Sequence, residues 1–513
     1  LNARTPPEEL QRAALVEALQ TPSEDIARTV LAQAGMRPDE IERSITTGTG
    51  LVAYDLQAPA KSLYPVATPF RNRIPRVGGG IGVATNWKVI NAITGSGFDA
   101  SGWVPEGQRA GRMSYTTSAV AASYVTIGEE DQATFEAINA GKGFEDIQGR
   151  MTMRLLQKMM LKEEMAIGFG NASIALGTPA TPTLAAAGSG ATLPALTYSV
   201  IVVALTMEGF KNSSVANGVA TSKTVNGADG QTFVINGGSS QKSAAATQAV
   251  TLGQVLSCST TAIQGAVGYA WFTGAAGSEK LEKITTINSV TFSAPLAGTG
   301  QAATLVTADC SRNATTAFDG LLTTAQKSGS GAYIKSLAAG VAGTGTALTG
   351  SGRGSVNEID DMFQSMWDQY QVSPSVLYVN SQELRNITGK VLSSASSPLL
   401  QYFQSPDEAY GLTAGGTISF YYNPFRLDGG QRIPVKIHPM LAPGTILGWA
   451  EDLPVQYQSN EVPNVAEIKT RQDYYQIDWP LRTRAREVGV YAEEVLAVYA
   501  PFAMGVLTNI GNG

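Results

Sequence analysis

Two stretches of alternating residues constrain this chain more than any other feature. Residues 83–93 put Val83, Thr85, Trp87, Val89 and Ile93 on one face; residues 113–127 do the same through Met113, Tyr115, Thr117, Ala119, Ala121, Val125 and Ile127. Such period-two patterning predicts β-strands. The stretch ITGSGFDASGWVPEGQRAG, residues 93–111, connects them and holds five glycines and one proline. The sequence therefore predicts a long hairpin, each arm spanning roughly 35 Å at about 3.3 Å per residue. An isolated two-stranded ribbon is marginal in water, so it must lie on something else.

Around this ribbon the chain changes character several times. Residues 5–45 predict short helices, with Thr21-Pro22-Ser23-Glu24 as a capping box. Residues 46–80, with Pro59, Pro65, Pro69 and Pro75, predict an extended arm. Residues 144–167 carry Phe144, Ile147, Met151, Leu155 and Met159 at helical spacing, closed by Gly168 and Gly170. Residues 176–314 then hold 11 charged residues in 139, against 67 in the other 374. That segment has short β-type runs at Tyr198–Leu205, Gln231–Ile235, Val250–Ser257, Tyr269–Thr273, Ile284–Ser293 and Ala303–Val306, which suggests an inserted β-sandwich. Beyond it, Ser355-Val356-Asn357-Glu358 predicts a capping box for a helix carrying Ile359, Met362, Phe363, Met366, Trp367 and Tyr370. Val376–Val379 predicts a buried strand, Asn380 a helix cap, and Val488–Tyr499 a long closing strand.

Composition narrows the function classes. The chain has 513 residues, which allows about three domains. Charged residues are 15%, against about 25% in average soluble proteins. So little charge suits a surface covered by other chains, or one made of Ser/Thr/Gly-rich β modules. The net charge is −6 and no basic stripe occurs, which argues against sequence-specific binding of a phosphate backbone. A mildly acidic surface can still lie beside DNA without adhering to it. Two cysteines, Cys258 and Cys310, are too few for a disulfide framework; with Trp271 they fall in Cys…Trp…Cys order, which two free thiols give by coincidence. No apolar run reaches the ~18 residues of a membrane helix. The first residue is Leu1, not an initiator Met, so an upstream segment, a signal peptide included, stays open.

No catalytic constellation emerges, and no cofactor or metal is expected. The single histidine, His438, precedes Pro439 and reads as structural. Gly78-Gly79-Gly80-Ile81-Gly82 precedes a strand, which is not the geometry of a phosphate loop. Gly350-Ser351-Gly352-Arg353-Gly354 reads as a loop. Glu129-Glu130-Asp131 is expected to begin a short helix, and Asp360-Asp361 to lie in the first turns of another, both solvated or salt-bridged.

The order of parts resembles the major capsid proteins of tailed bacteriophages, the Hong Kong 97-like fold. The hairpin 83–127 resembles that family's extended loop, and the helix ending LKEEMAIGFGN resembles its spine helix. FDGLL, Phe318–Leu322, resembles the re-entry into its axial domain, residues 266–293 an immunoglobulin-like insertion, and REVGVYAEEVLAVYAPFAMGVLTNI its last strands. The resemblance implies an α+β chain: N-terminal helices and arm (1–80), extended hairpin (81–130), spine helix and peripheral domain (131–175), insertion (176–314), axial domain (315–440) and returning strands (441–513). It implies a non-enzymatic shell protein of the virion, assembled in the host cytoplasm around double-stranded DNA. Its partners would be copies of itself in hexamers and pentamers, with scaffolding, portal or decoration proteins. Trp103 and Val104 would then anchor the hairpin tip on a neighbour, flanked by Arg109 and Arg112, with Glu129–Asp131 as candidate partners of these arginines. Some members crosslink a loop lysine to a neighbour's asparagine; here no lysine lies between Lys88 and Lys142, so a non-covalent shell is expected. The alternative is a secreted surface-layer or adhesin-type protein of β-sandwich modules. An enzyme such as an α/β hydrolase lacks a base–nucleophile pair.

Overall fold

Val376–Val379 is short and continuously apolar in body, a pattern suited to a strand covered on both faces. The computed structural model describes residues 68–94, 103–112, 114–143, 146–227, 230–352, 354–393, 417–426, 429–453 and 463–511. In it, this strand lies inside a six-stranded sheet ordered Tyr333–Ser336, Met504–Thr508, Ile446–Trp449, Val376–Val379, Gln431–Ile437 and Phe420–Asn423. It runs antiparallel to Ile446–Trp449 and parallel to Gln431–Ile437. The architecture is α+β. The expected helices over 5–45, the cap at Thr21–Glu24, the arm up to residue 67, Phe144 and Arg353 lie outside the described residues.

The helix Asn357–Tyr370 buries Ile359, Met362, Phe363 and Met366 in the core it shares with this sheet. Gly448 and Gly505 are register partners on adjacent strands, and Met362 lies over both. A Cβ at Gly505 would stand 2.4 Å from Met362 Sδ, and one at Gly448 would stand 2.9 Å from Met362 Cε. The paired glycines thus set how closely helix and sheet approach. The expected capping box does not form at this helix. Ser355 Oγ donates to Asp360 at 2.5 Å, and Glu358 accepts from Thr349 N at 2.9 Å. The Ser355 amide, which Glu358 would take in such a box, donates to Ser351 Oγ at 3.3 Å, and the next amide, that of Val356, donates to Tyr421 Oη at 2.8 Å. The next helix, Ser381–Leu392, is capped as expected: Asn380 accepts from Gln382 N at 3.0 Å.

Two further sheets come from the charge-poor segment. One is ordered Ser289–Phe292, Val255–Ser259, Thr183–Ala187; the other Lys280–Thr285, Gly268–Gly274, Leu196–Leu205, Ala246–Val250. Leu256, Cys258, Val290 and Phe292 of the first share a core with Tyr198, Val200, Val202 and Trp271 of the second. Ile201, Val203, Phe272 and Leu281 face a separate cluster, so the second sheet is covered on both sides. Both cysteines are free and buried; Cys258 lies in the shared core, where burial pushes its thiol up to about 12. Three expected strands differ. Val250–Ser257 is split by a turn, its ends lying in Ala246–Val250 and Val255–Ser259. Ala303–Leu305 is a single 3-10 turn, and Ile284–Ser293 is interrupted at Asn288, whose amide donates to Asn509 Oδ1 at 2.8 Å.

The long helix spans Ile147–Phe169 and buries Met151, Leu155 and Met159, as their spacing predicts. It continues through Gly168, the expected stop, because the Phe70 ring packs there; a Cβ would stand 2.8 Å from the ring. A four-stranded sheet is ordered Arg76–Val77, Ala466–Asp478, Ala485–Val498, Val125–Thr134. Two compact units are present. Among the described residues the smaller holds 131–143, 146–154 and 478–488. Within it, Thr134 caps the helix Phe135–Gly141, and Arg484 pairs with Glu136 at 2.7 Å.

Gly505→Ala is expected to destabilise the chain by about 1–3 kcal/mol through overpacking against Met362. A Met362→Ala change in the same chain should recover part of that loss. Chemical unfolding of the three variants checks it.

Candidate functional site

The ribbon is present. Ala84–Thr94 pairs antiparallel with Ser114–Ser123, from Ala84↔Ser123 to Thr94↔Ser114. It is shorter than expected at one end. At Tyr124 the chain leaves it, and Val125–Thr134 joins the four-stranded sheet beside Ala485–Val498. The register also shifts between Ile90 and Ala92. Past the bulge Ala92 pairs with Thr116, so the strict alternation expected from Val83 to Ile93 does not run unbroken. Bulges re-aim one end of a ribbon relative to the other.

Only the base of the ribbon touches its own chain among the described residues. Trp87 Nε1 donates to Val498 O at 3.1 Å, and Val89 is buried. Both line a cavity of about 180 Å³ with Val120, Phe318, Leu496 and Pro501. The tip is different. Pro105–Gln108 is a tight turn, closed by Gln108 N donating to Pro105 O at 3.1 Å, with Gly107 at φ 78 supplying the left-handed position. Trp103 beside it is 92% exposed and Val104 44%. Arg109 and Arg112 are exposed as well. No hydrogen bond or ion pair engages the side chains of Trp103, Arg109 or Arg112 among the described residues. A fully wet tryptophan flanked by two free guanidiniums suits a surface that presents a groove and carboxylates.

The acidic cluster Glu129–Asp131 is not placed as expected. It lies in the strand Val125–Thr134, not at a helix start, because alternation carries straight through it. Glu129 bonds Lys158 and Lys162 of the long helix. Burial opposes its charge, but the two ammonium groups outweigh that and hold its carboxyl below the usual range. Glu130 accepts from Tyr491 Oη. Asp360 and Asp361 do lie in the first turns of their helix, as expected; Asp361 pairs with Lys335 at 2.9 Å.

The junction under the ribbon's strand of entry was not anticipated. Glu163 and Glu164 sit side by side on the long helix and are both 0% exposed. Glu164 holds the turn that enters the fold at residue 68. Its Oε1 accepts from Phe70 N at 2.9 Å and its Oε2 from Arg71 N at 2.8 Å. His438 Nε2 lies 2.7 Å from the same Oε1. Met440 N donates to His438 Nδ1 at 3.2 Å, so Nε2 carries the ring proton and donates to Glu164 as a neutral imidazole. Phe70 stacks on this imidazole with centroids 4.3 Å apart and meets Tyr378 edge-on at 4.7 Å. The sole histidine is thus structural, as its sequence context predicts. Among the described residues, no three His, Cys, Asp or Glu side chains cluster to hold a metal, and no helix is long and apolar enough to cross a membrane.

No family model matches the chain, and no curated protein matches it. Solved structures do match along most of its length. The capsid of a native GTA particle matches at 10% identity, with 88% of this chain and 92% of that chain covered and a TM-score of 0.38. The capsid of Myoviridae phage XM1 matches at 8% identity, covering 86% and 92%, with a TM-score of 0.37. The cyanophage A-1(L) capsid matches at 11% identity, covering 87% and 94%, with a TM-score of 0.37. At these identities and scores they do not place the chain in a family.

Glu164→Gln turns an amide N–H toward one of three buried donors and should cost about 2–4 kcal/mol. Chemical unfolding measures this, and amide hydrogen exchange at Phe70 and Arg71 should rise in step.

Proposed function

We propose that this chain is a major capsid protein that self-assembles into an icosahedral shell around double-stranded DNA. One observation carries the reading: among the described residues, a ribbon roughly 35 Å long meets its own chain at its base and ends in an exposed Trp103, Val104, Arg109 and Arg112. An exposed apolar patch rimmed by charged residues marks a surface for another molecule. In a shell of identical chains, that molecule is the adjacent copy. Each subunit is then held at several sites at once, and many weak contacts sum to a stable lattice. The low charge content agrees with a surface largely shared with neighbours.

On this reading the parts follow the boundaries read from the sequence: arm 1–80, extended loop 81–130, spine helix and peripheral domain 131–175, immunoglobulin-like insertion 176–314, axial domain 315–440 and returning strands 441–513. Hexamers and pentamers of this chain are its main partners, with scaffolding, portal and decoration proteins joining them. Assembly takes place in the host cytoplasm, and the acidic chain meets the packaged DNA without base-specific contacts. The loop tip has no lysine, so the lattice is non-covalent.

Negative-stain microscopy of the expressed chain, with its scaffolding partner, is expected to show shells or sheets of hexamers. Trp103→Ala, or deletion of 97–108, should abolish or weaken assembly while leaving the helix content of the free chain unchanged. Normal shells from both variants would overturn the role of the tip. Purified shells should also run as single chains on a denaturing gel; a ladder of multiples would contradict non-covalent closure.

A further inference from the structure

Next to Glu164, the second inward carboxylate of the long helix makes a different kind of junction. Arg71 Nε donates to Glu163 Oε2 at 2.8 Å, and Arg76 Nη1 bonds Glu163 Oε1. Arg76 Nη2 reaches Glu494 Oε2 at 3.1 Å and Asp473 Oδ1 at 2.5 Å. Both guanidiniums lie over the Tyr474 ring, and Tyr474 Oη also meets Arg71 Nε at 2.9 Å. Glu163 and Glu494 are each 0% exposed, whereas the Asp473 side chain is 54% exposed.

Glu494 is poorly served for a buried anion. Its Oε2 receives one long bond, and its Oε1 has no donor among the described residues. Glu494 and Glu163 nevertheless share one guanidinium, Glu163 on Arg76 Nη1 and Glu494 on Arg76 Nη2. Two ionised carboxylates placed this way repel each other strongly when buried. A proton on one of them removes that repulsion. Glu163 accepts from two guanidiniums and is the better stabilised anion, so the proton belongs to Glu494.

We propose that Glu494 holds a buried proton beside Glu163, so that the junction of segment 70–77, the long helix and the strand Ala485–Val498 is a proton-dependent clamp. The charged and titratable groups around it are Glu163 on the helix, Arg71 and Arg76 on the incoming segment, and Asp473 and Tyr474 on the neighbouring strand. Glu164 lies one residue further along the helix, with the neutral His438 against it. Removing the proton leaves two buried anions on one guanidinium and makes Arg76 serve three carboxylates. Burial, and then the Glu163 charge, push the Glu494 carboxyl up to about 8. In the unfolded chain it ionises in the ordinary range. The folded chain therefore carries one proton more than the unfolded chain between those limits, and stability is lost as pH rises toward 8.

The test is urea unfolding of the full chain from about pH 5 to about pH 9, beside Glu494→Gln, which keeps the shape of the protonated side chain but cannot ionise. The unfolding constant of the parent chain should rise relative to the variant by up to about tenfold per pH unit below 8, then run parallel above it. Glu383, pushed up to about 7 by burial, titrates in the same window in both proteins and cancels. Parallel curves throughout would overturn the clamp. A second measurement does not need the variant to fold. In a Glu383→Gln background, raising the pH through 8 should convert one protonated-carboxyl infrared band into carboxylate, and its absence would overturn the proposal equally.

Discussion

The architecture depends on a pair of carboxylates that a helix turns inward. Glu164 satisfies two backbone amides of the entering turn, and Glu163 gathers two guanidiniums, so one helix fixes the path of the chain at residues 70–76. That path sets Phe70 against His438 and Tyr378, which ties the turn to the apolar core of the six-stranded sheet. It also sets Arg76–Val77 against the strand Ala466–Asp478, in parallel register. The ribbon begins a few residues later. Its base is therefore positioned by electrostatics and packing together, with neither sufficient alone: buried carboxylates without these donors would oppose folding.

The sequence showed most elements whose cause is local. Val376–Val379 had to be a covered strand, Asn380 had a side chain suited to capping, and the long helix announced itself through Met151, Leu155 and Met159. The hairpin too was visible, because alternation is a property of each strand by itself. What escaped was set by distant partners. LKEE reads as a solvated helical face, and only the arginines arriving from residues 71 and 76 make its last two residues interior. The Ser355 cap looked complete, but its hydroxyl goes to Asp360, Glu358 accepts from Thr349, and Tyr421, from a strand far along the chain, takes the neighbouring Val356 amide.

The candidate site divides the same way. Trp103, Val104, Arg109 and Arg112 were singled out as residues of a hairpin tip, with their anchoring role implied by the resemblance, and all four are exposed. The glycines around them gave that much away. The end of the ribbon did not: alternation runs on through Ile127 without a break, so nothing local marks Ser123 as its last paired residue. The bulge at Ile90–Ala92 is equally silent, since neither glycine nor proline stands there.

A ribbon that, among the described residues, is fixed at Trp87 and its neighbours has the geometry of a lever. Its arm is long and its fulcrum is a small patch that borders a cavity. A rotation of about 10° at the base carries the tip through roughly 6 Å, taking an arm of about 35 Å. One rigid body can thus meet differently spaced landing points by pivoting, with no change in its own strand pairing. A void beside the fulcrum leaves room for that pivot, which a fully packed base would have denied.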